Sequence, residues 1–337
     1  MAPTVSTKFF ILSDTHNFNF GDAEKVNGAL RLPVPKADVV LHCGDLTSIG
    51  GSSSYKGVLR MLGAIDAELK LVIAGNHDLD LDKQYFESHL DEDDDPEQHE
   101  KAVEIMTGPL AKAAGVTYLE EGLNTFTLKN GAKFTIYTSP YQPEFCDWAF
   151  PYYRNEDRFN PIQHVASDVK CITKNPVPDF PGIDIMMTHG PPEDILDWTY
   201  SGARVGCRAL IHAVSRARPL LYCFGHIHEA HGAELVTWKD DTTQPGKEAI
   251  ERQDSMPNAY PRPTAHPIRF GKETLMVNAA IMSLQYRPTN SPWLVELDLP
   301  RAPTVTGNEE HLKTQEHKVK EVMSEGSQTN ECKVTKT

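Results

Sequence analysis

Nothing in this 337-residue chain approaches the ~18 consecutive apolar residues that a membrane-spanning helix needs, so no membrane span is expected. Basic charge is also scarce. Lys and Arg total 33 against 47 Asp and Glu, a net charge of -14 at neutral pH. So acidic a surface repels a polyanion, which argues against a long nucleic-acid partner but not against a small phosphorylated one. The six cysteines form no Cys-x-x-Cys pair and read as reduced thiols rather than a disulfide framework. The apolar run at 9–12 is too short for a signal peptide and meets Asp14 at once. The closing KVTKT matches no targeting address, so the expected location is the cytosol. No internal repeat is visible.

Apolar material is sufficient for a sizeable core. Hydrophobic residues make up 39% and charged residues 24%, the proportions of a soluble globular chain. Short apolar runs recur at 9–12, 39–41, 71–74, 134–137, 183–187, 220–224 and 293–297, each of strand length. Helical spacing appears between some of them, over 55–69 and 207–217. Strands alternating with helices predict a layered α/β fold. One domain is expected over 1–300, with the polar stretch 239–267 as a long loop or insertion. The region 301–337 reads as a disordered tail, with a short helix over 309–322. The acidic run DEDDDPE at 91–97 reads as a solvated loop. A calcium loop started there would place Pro96 and Ala102 where Gly and Glu are required.

Five short motifs stand out: Asp14-Thr15-His16, Gly44-Asp45, Gly75-Asn76-His77-Asp78, His189-Gly190 and Gly225-His226-Ile227-His228. Alone, an Asp-x-His or a Gly-Asp recurs by chance in many chains. Together they share one property: each follows the C-terminal end of an apolar run. In open α/β sheets ligands bind beyond the carboxyl ends of strands, so the five can converge on one rim. Residues two apart in extended backbone point the same way, so Asp14 with His16, and His226 with His228, can each aim at one locus. Carboxylate, imidazole and amide oxygen suit divalent Mn, Fe, Zn or Mg, and no thiolate is offered. A ligand shared by two ions must be anionic and bidentate, and Asp45 is the candidate.

This order of motifs resembles that of the calcineurin-like metallophosphoesterases. The segments VVLHCGDLTSIG, LVIAGNHDL, DIMMTHGPP, RVGCRAL, RPLLYCFGHIHEAHG and RPTNSPWLVELDLP resemble the metallophosphoesterase-domain-containing group of animals and its fungal and bacterial relatives. The resemblance implies an α/β (α+β) fold, a four-layer β-sandwich of two mixed sheets flanked by helices. It implies two divalent metal ions, with manganese the expected activator in vitro. One ion takes Asp14, His16, Asp45 and His228, and the other takes Asp45, Asn76, His189 and His226. His77 is then no ligand but faces the substrate phosphate. Some animal members lack the first His of the last motif, and this chain keeps it at His226.

The expected activity is hydrolysis of a small phosphodiester of nucleotide-like kind, or of a phosphomonoester. Two ions ~3.5–4 Å apart can share a hydroxide for in-line attack. His77 would bind the phosphate or protonate the leaving oxygen, and Asp78 would orient a neighbouring His. Asn76 and His77 would contact the substrate. Phe145 and Trp148, with Tyr141, would roof a planar group or else pack under a loop. His42 reads as a packed neighbour, and Arg204 and Arg208 as surface or anion-steering residues. The alternative is a metallohydrolase acting on a non-phosphate ester of a small metabolite, prompted by the segment 239–267.

Overall fold

A strand buried on both faces needs an unbroken apolar run, whereas a half-buried one needs only alternation. The computed structural model, which describes residues 3–21, 29–240 and 245–303, follows this rule closely. β1 (Thr4–Leu12), β2 (Val39–His42) and β3 (Leu69–Val72) lie side by side and parallel, with Phe9 beside Val39 and Val39 beside Leu69. Helices α1 (Ser52–Gly63), α2 (Lys83–Ser88), α3 (Gln98–Thr107) and α4 (Pro109–Ala114) follow, before β4 (Val116–Tyr118) joins beyond β3.

The second sheet begins with the antiparallel hairpin β5 (Gly122–Thr127) and β6 (Lys133–Ser139). β7 (Ile185–Thr188), α5 (Arg208–Ala217) and β8 (Leu221–Phe224) continue it in parallel. β9 (Gly232–Trp238), β10 (Ile250–Ser255), β11 (Thr264–Ala265), β12 (Glu273–Asn278) and β13 (Trp293–Pro300) complete the chain's strands in the two large sheets. The first sheet has the order β11-β13-β1-β2-β3-β4, and the second has the order β10-β9-β12-β8-β7-β6-β5. Both are mixed, since β13 is antiparallel to β1 and β9 is antiparallel to β12.

The alternation of strand side chains separates three apolar layers. Phe9 and Ile11 face inward, meeting Phe134, Ile136, Ile185 and Leu221 of the second sheet. Phe10 and Leu12 face outward beneath Tyr55, Leu62, Ile105 and Ala111 of the helices. The outer face of the second sheet, Tyr137, Met186, Tyr222 and Met276, is covered by Leu210, Ile211 and Val214 of α5. This is the expected four-layer architecture: helices, sheet, sheet, helix. The sheets join where Ser13, just past β1, bridges Ala280, just past β12.

The expected loop over 239–267 contains two strands, the short β11 at 264–265 and a longer one. Residues 250–255 form the edge strand β10, which pairs antiparallel with β9 through a register shift at Thr237/Trp238. Its sequence, IERQDS, has no apolar run because it fills an edge and faces solvent. Beyond residue 303 the expected tail, with its helix over 309–322 and Cys332, lies outside the described residues, while Arg301 at its expected start still bridges Ala132. The five described cysteines are free, and no helix among the described residues is long and apolar enough to cross a membrane.

Phe9 tests the inter-sheet layer. It is fully buried, and its ring meets Phe134 edge-on across the sandwich at 5.7 Å. Phe9→Ala should destabilise the fold by about 3–5 kcal/mol, the range for deleting a buried aromatic. An unfolding free energy in urea lowered by less than a third of that would contradict the packing described.

Candidate metal centre

The parallel strands end at one rim, and the turns that leave them carry the five motifs. β1 leads into Asp14 and His16, β2 into Asp45, β3 into Asn76 and His77, β7 into His189, and β8 into His226 and His228. The first two turns are zipped by backbone bonds: Asp14 N to Gly44 O at 3.0 Å, Thr15 N to Asp45 O at 2.9 Å and Asn17 N to Leu46 O at 3.0 Å. To aim side chains inward, Asp14, His16, Asp45 and His226 adopt left-handed backbone, with φ of 54°, 41°, 53° and 69°. Asp and His tolerate this region better than most residues, though at some strain. Two motif glycines are required by close approach. A Cβ on Gly75 would overlap the Asp45 carboxylate, and one on Gly225 would overlap that of Asp14.

All seven proposed ligand residues meet at this rim. Asp45 is central: its Oδ2 lies 3.6 Å from His16 Nε2 and its Oδ1 lies 3.3 Å from His189 Nε2. His189 Nε2 is also 2.8 Å from Asn76 Oδ1. His16 Nε2 and His228 Nε2 face each other at 3.3 Å, and His228 Nε2 is 3.4 Å from Asp14 Oδ1. Ligand atoms of Asp14, His16 and His228, of His16, Asp45 and His77, and of Asp45, His189 and His226 group closely enough to hold a metal ion.

The Nδ1 atoms decide what these nitrogens can do. Those of His16, His189, His228 and His77 lie on the carbonyls of Thr47 (3.2 Å), Cys43 (2.9 Å), Ser283 (3.2 Å) and Ser48 (2.7 Å). A carbonyl can only accept, so each Nδ1 donates and a neutral ring presents its Nε2 lone pair to the centre. Lone pairs of His16 and His228 then oppose each other, and that of His189 faces two oxygens. Such a cluster requires positive charge, from protons or from cations.

Charge shifts express the same demand. Burial works against the Asp14 carboxylate, but the hydrogen bond and charge of His228 outweigh it and bring the group down to about 2. Burial also opposes ionisation of Asp45, yet the charges of His189 and His16 hold it well below the usual carboxylate range. Burial takes His16 down to about 4 and His226 down to about 3. His189 resists its burial because the Asp45 charge and hydrogen bond raise it to about 9, and Asp14 likewise raises His228. Without cations, the two carboxylates draw protons onto two imidazoles. The donor set therefore fits divalent metal.

Asp78 does not orient a histidine. Its fully buried carboxylate accepts from Gly75 N (2.9 Å), Leu46 N (3.1 Å), Thr47 N (2.9 Å) and Thr47 Oγ1 (2.8 Å). It ties the turn after β3 to the turn after β2 and lies behind the centre. Burial, with the Asp45 charge, raises its carboxyl to about 7 against these donors.

A cleft of about 250 Å³ opens over the centre, lined by Asp45, Asn76, His77, His226 and His228 below and by Phe145, Trp148, Leu284 and Tyr286 above. Trp148 lies along the His77 ring, 4.0 Å between centroids. Tyr141 is elsewhere, under the Arg158 guanidinium and against Phe150. His42 is buried beside Thr15 Oγ1 at 3.0 Å. Arg204 pairs with Asp197 at 2.8 Å, and Arg208 opens α5; neither lines the cleft.

Sequence reasoning missed Tyr286, Leu284, Arg154 and Glu229 of the lining. Tyr286 stands edge-on over His16 at 4.8 Å and over His228 at 5.6 Å. Its loop is tied to the centre by the His228–Ser283 hydrogen bond. No sequence signal marks it beyond its place just after β12.

A four-layer sandwich with carboxylates, an amide and imidazoles gathered at the strand ends defines a metal-binding α/β protein of hydrolase type. The family model for calcineurin-like phosphoesterases matches residues 7–230, and the chain belongs to that family. It is 29% identical over 310 residues to human Metallophosphoesterase domain-containing protein 1, covering 89% of this chain and 73% of that protein. It is 31% identical over 239 residues to Probable rhamnogalacturonate lyase C of Emericella nidulans, covering 71% of this chain but 18% of that protein. A solved structure of Phosphopantetheinyl Hydrolase from Mycobacterium tuberculosis aligns over 91% of this chain and 99% of that one, at 16% identity and a TM-score of 0.43.

Removing the Asp78 clamp tests the frame of the centre. Asp78→Ala strips four buried donors of their acceptor and should cost about 3 kcal/mol or more in urea unfolding. Asp78→Asn keeps one acceptor oxygen and should cost less. Equal, near-zero losses in both would remove Asp78 from this role.

Proposed function

We propose that this chain is a metal-dependent phosphoesterase that holds two divalent cations and hydrolyses a small phosphodiester of nucleotide-like kind, or a phosphomonoester. The observation that carries the reading is the set of Nε2 lone pairs, fixed by Nδ1–carbonyl bonds, that converge on two carboxylates. Asp14, His16, Asp45 and His228 would hold one cation, and Asp45, Asn76, His189 and His226 the other. Mn, Fe, Zn and Mg all suit these ligands, with Mn expected to serve in vitro. Cations bound there supply charge for phosphoryl oxygens and lower the pKa of water.

The protein's own groups do the rest. Asp45 presents one oxygen to each half of the centre. His77 holds its ring against Trp148, with Nδ1 committed to Ser48 O, so Nε2 is the atom that meets substrate. In its protonated form that nitrogen donates to a phosphoryl oxygen or to the leaving oxygen. Phe145 and Trp148 give the cleft an aromatic wall above the centre. The reading as a non-phosphate esterase drew on residues 239–267, and among the described residues none of that segment lines the cleft.

Turnover of bis-p-nitrophenyl phosphate with added manganese, abolished by a chelator and restored by the metal, is the expected result. A protein that binds manganese at this centre yet releases no p-nitrophenolate from diesters or monoesters would end the phosphoesterase reading. His77→Ala should keep the metal and slow turnover about 10²-fold or more. Asp45→Asn should lose metal and activity together, because one carboxylate serves both positions. Two ions per chain in Asp45→Asn, or an unchanged rate in His77→Ala, would contradict these roles.

A further inference from the structure

Single exposed apolar side chains are ordinary, but a contiguous group around a polar site is not. The rim of the cleft carries such a group. Phe145 (60% exposed), Leu284 (44%) and Tyr286 (52%) belong to the wall of the cleft whose floor is Asp45, Asn76 and His226. Two more exposed apolar side chains adjoin the site along the chain. Ile49 (67%) follows Ser48, whose carbonyl receives His77 Nδ1 at 2.7 Å. Tyr200 (73%) follows Thr199, which lines the cleft, and its backbone N–H donates to Glu229 at 3.5 Å. Apolar surface thus stands at the mouth of the cleft, open to solvent at Phe145, Leu284 and Tyr286.

Fixed charge in the wall is sparse. Beyond the metal-site residues the lining holds one guanidinium, Arg154, and one carboxylate, Glu229. A polyphosphate chain would need several cations along its path, and a single Arg matches a single phosphate charge. The occupant that touches the rim must also have its polar end on the cleft floor, because the two are one continuous surface. This ties the apolar patch to a substrate rather than to a separate docked protein.

We propose that the substrate is an amphiphilic phosphodiester, with one phosphate seated over the carboxylates and imidazoles and an apolar chain lying along Phe145, Leu284 and Tyr286 toward Ile49 or Tyr200. This rests on the phosphoesterase reading and names the substrate class for it. Hydrolysis adds water across one P–O bond: hydroxyl goes to phosphorus, and the leaving oxygen takes the proton or departs as an anion.

The test uses the full-length protein with manganese and a series of alkyl p-nitrophenyl phosphates, methyl, butyl and octyl, each below its micelle concentration. Every member carries the same leaving group and the same charge, so only the apolar chain varies. kcat/KM should rise by up to about fourfold per methylene over the first few carbons, the factor a buried methylene is worth. The octyl-to-methyl ratio should fall at least tenfold in Leu284→Asp and in Phe145→Ser. Turnover of the methyl ester with a flat or falling series overturns the apolar subsite and leaves the phosphoesterase reading standing. An unchanged ratio in both variants also overturns it. Failure of the whole series, methyl ester included, overturns the amphiphilic-diester proposal, and the phosphoesterase reading falls with it only if p-nitrophenyl phosphate, a monoester, is also left intact.

Discussion

The structure depends on a surplus of lone pairs at one point. Asp45 offers two oxygens, Asp14 faces His228, and Asn76 Oδ1 lies 2.8 Å from His189 Nε2. Each of His16, His189 and His228 donates its Nδ1–H in a hydrogen bond to a backbone carbonyl. Acceptors brought this close in a buried site repel one another unless positive charge lies between them. Protons supply it in part, which is why Asp45 and Asp14 raise His189 and His228 while burial takes His16 and His226 down. A pair of divalent cations would meet the same demand with more charge and without protonating the imidazoles.

Much of the surrounding backbone follows from that demand. Side chains from two facing sheets must meet at the seam between them, and extended turns would point several of them away. Left-handed backbone at Asp14, His16, Asp45 and His226 turns them inward. The glycines at 75 and 225 let neighbouring chain pass within contact distance of the two carboxylates. Strain of this kind persists only where the surroundings over-determine it. Here the over-determination is visible: Asp78 clamps two turns, His226 N bonds both Asp14 oxygens at 3.0 Å, and His77 N bonds Asp45 Oδ1 at 2.9 Å. Behind these bonds stand β1, β2 and β3, whose runs buried on both faces give the turns a rigid base.

How much of this could be read in advance depended on burial. Strands β1, β2, β7, β8 and β13 announce themselves as apolar runs because both faces are covered. β5 and β10 are edge strands with polar faces and offer no run to find, whereas β12 holds a buried apolar run at 275–277, as long as that of β2, which the sequence reading passed over. The helix expected over 55–69 stops at Gly63, where the chain turns toward β3. The seven candidate ligands could be picked out because their motifs stand at strand ends, and the fold brings those ends to one rim. Their partners could not: the carbonyls of Thr47, Cys43, Ser48 and Ser283 hold the imidazoles, and every residue has a carbonyl. Tyr286 and Leu284 were hidden for a related reason. They sit on a surface loop, beyond residues 7–230 of the family match, where only three-dimensional proximity gives them meaning.

The acidic surface and the cleft then divide the work of selection. A net charge of -14 acts over roughly a Debye length and discourages long polyanions at a distance. Inside the cleft that field matters less than the local charge, because bound divalent cations would outweigh it within contact range. Arg154 adds one positive charge to the wall, Glu229 cancels it, and the remaining surface is aromatic or aliphatic. Under the proposed reading, attraction is therefore confined to the floor, where the phosphate must sit, while the walls reward apolar contact. A ligand gains from both only if its charge is concentrated at one end, and this asymmetry follows from gathering the carboxylates, imidazoles and amide at the strand ends, while the outer loops add mostly apolar residues and one charge of each sign, Arg154 and Glu229.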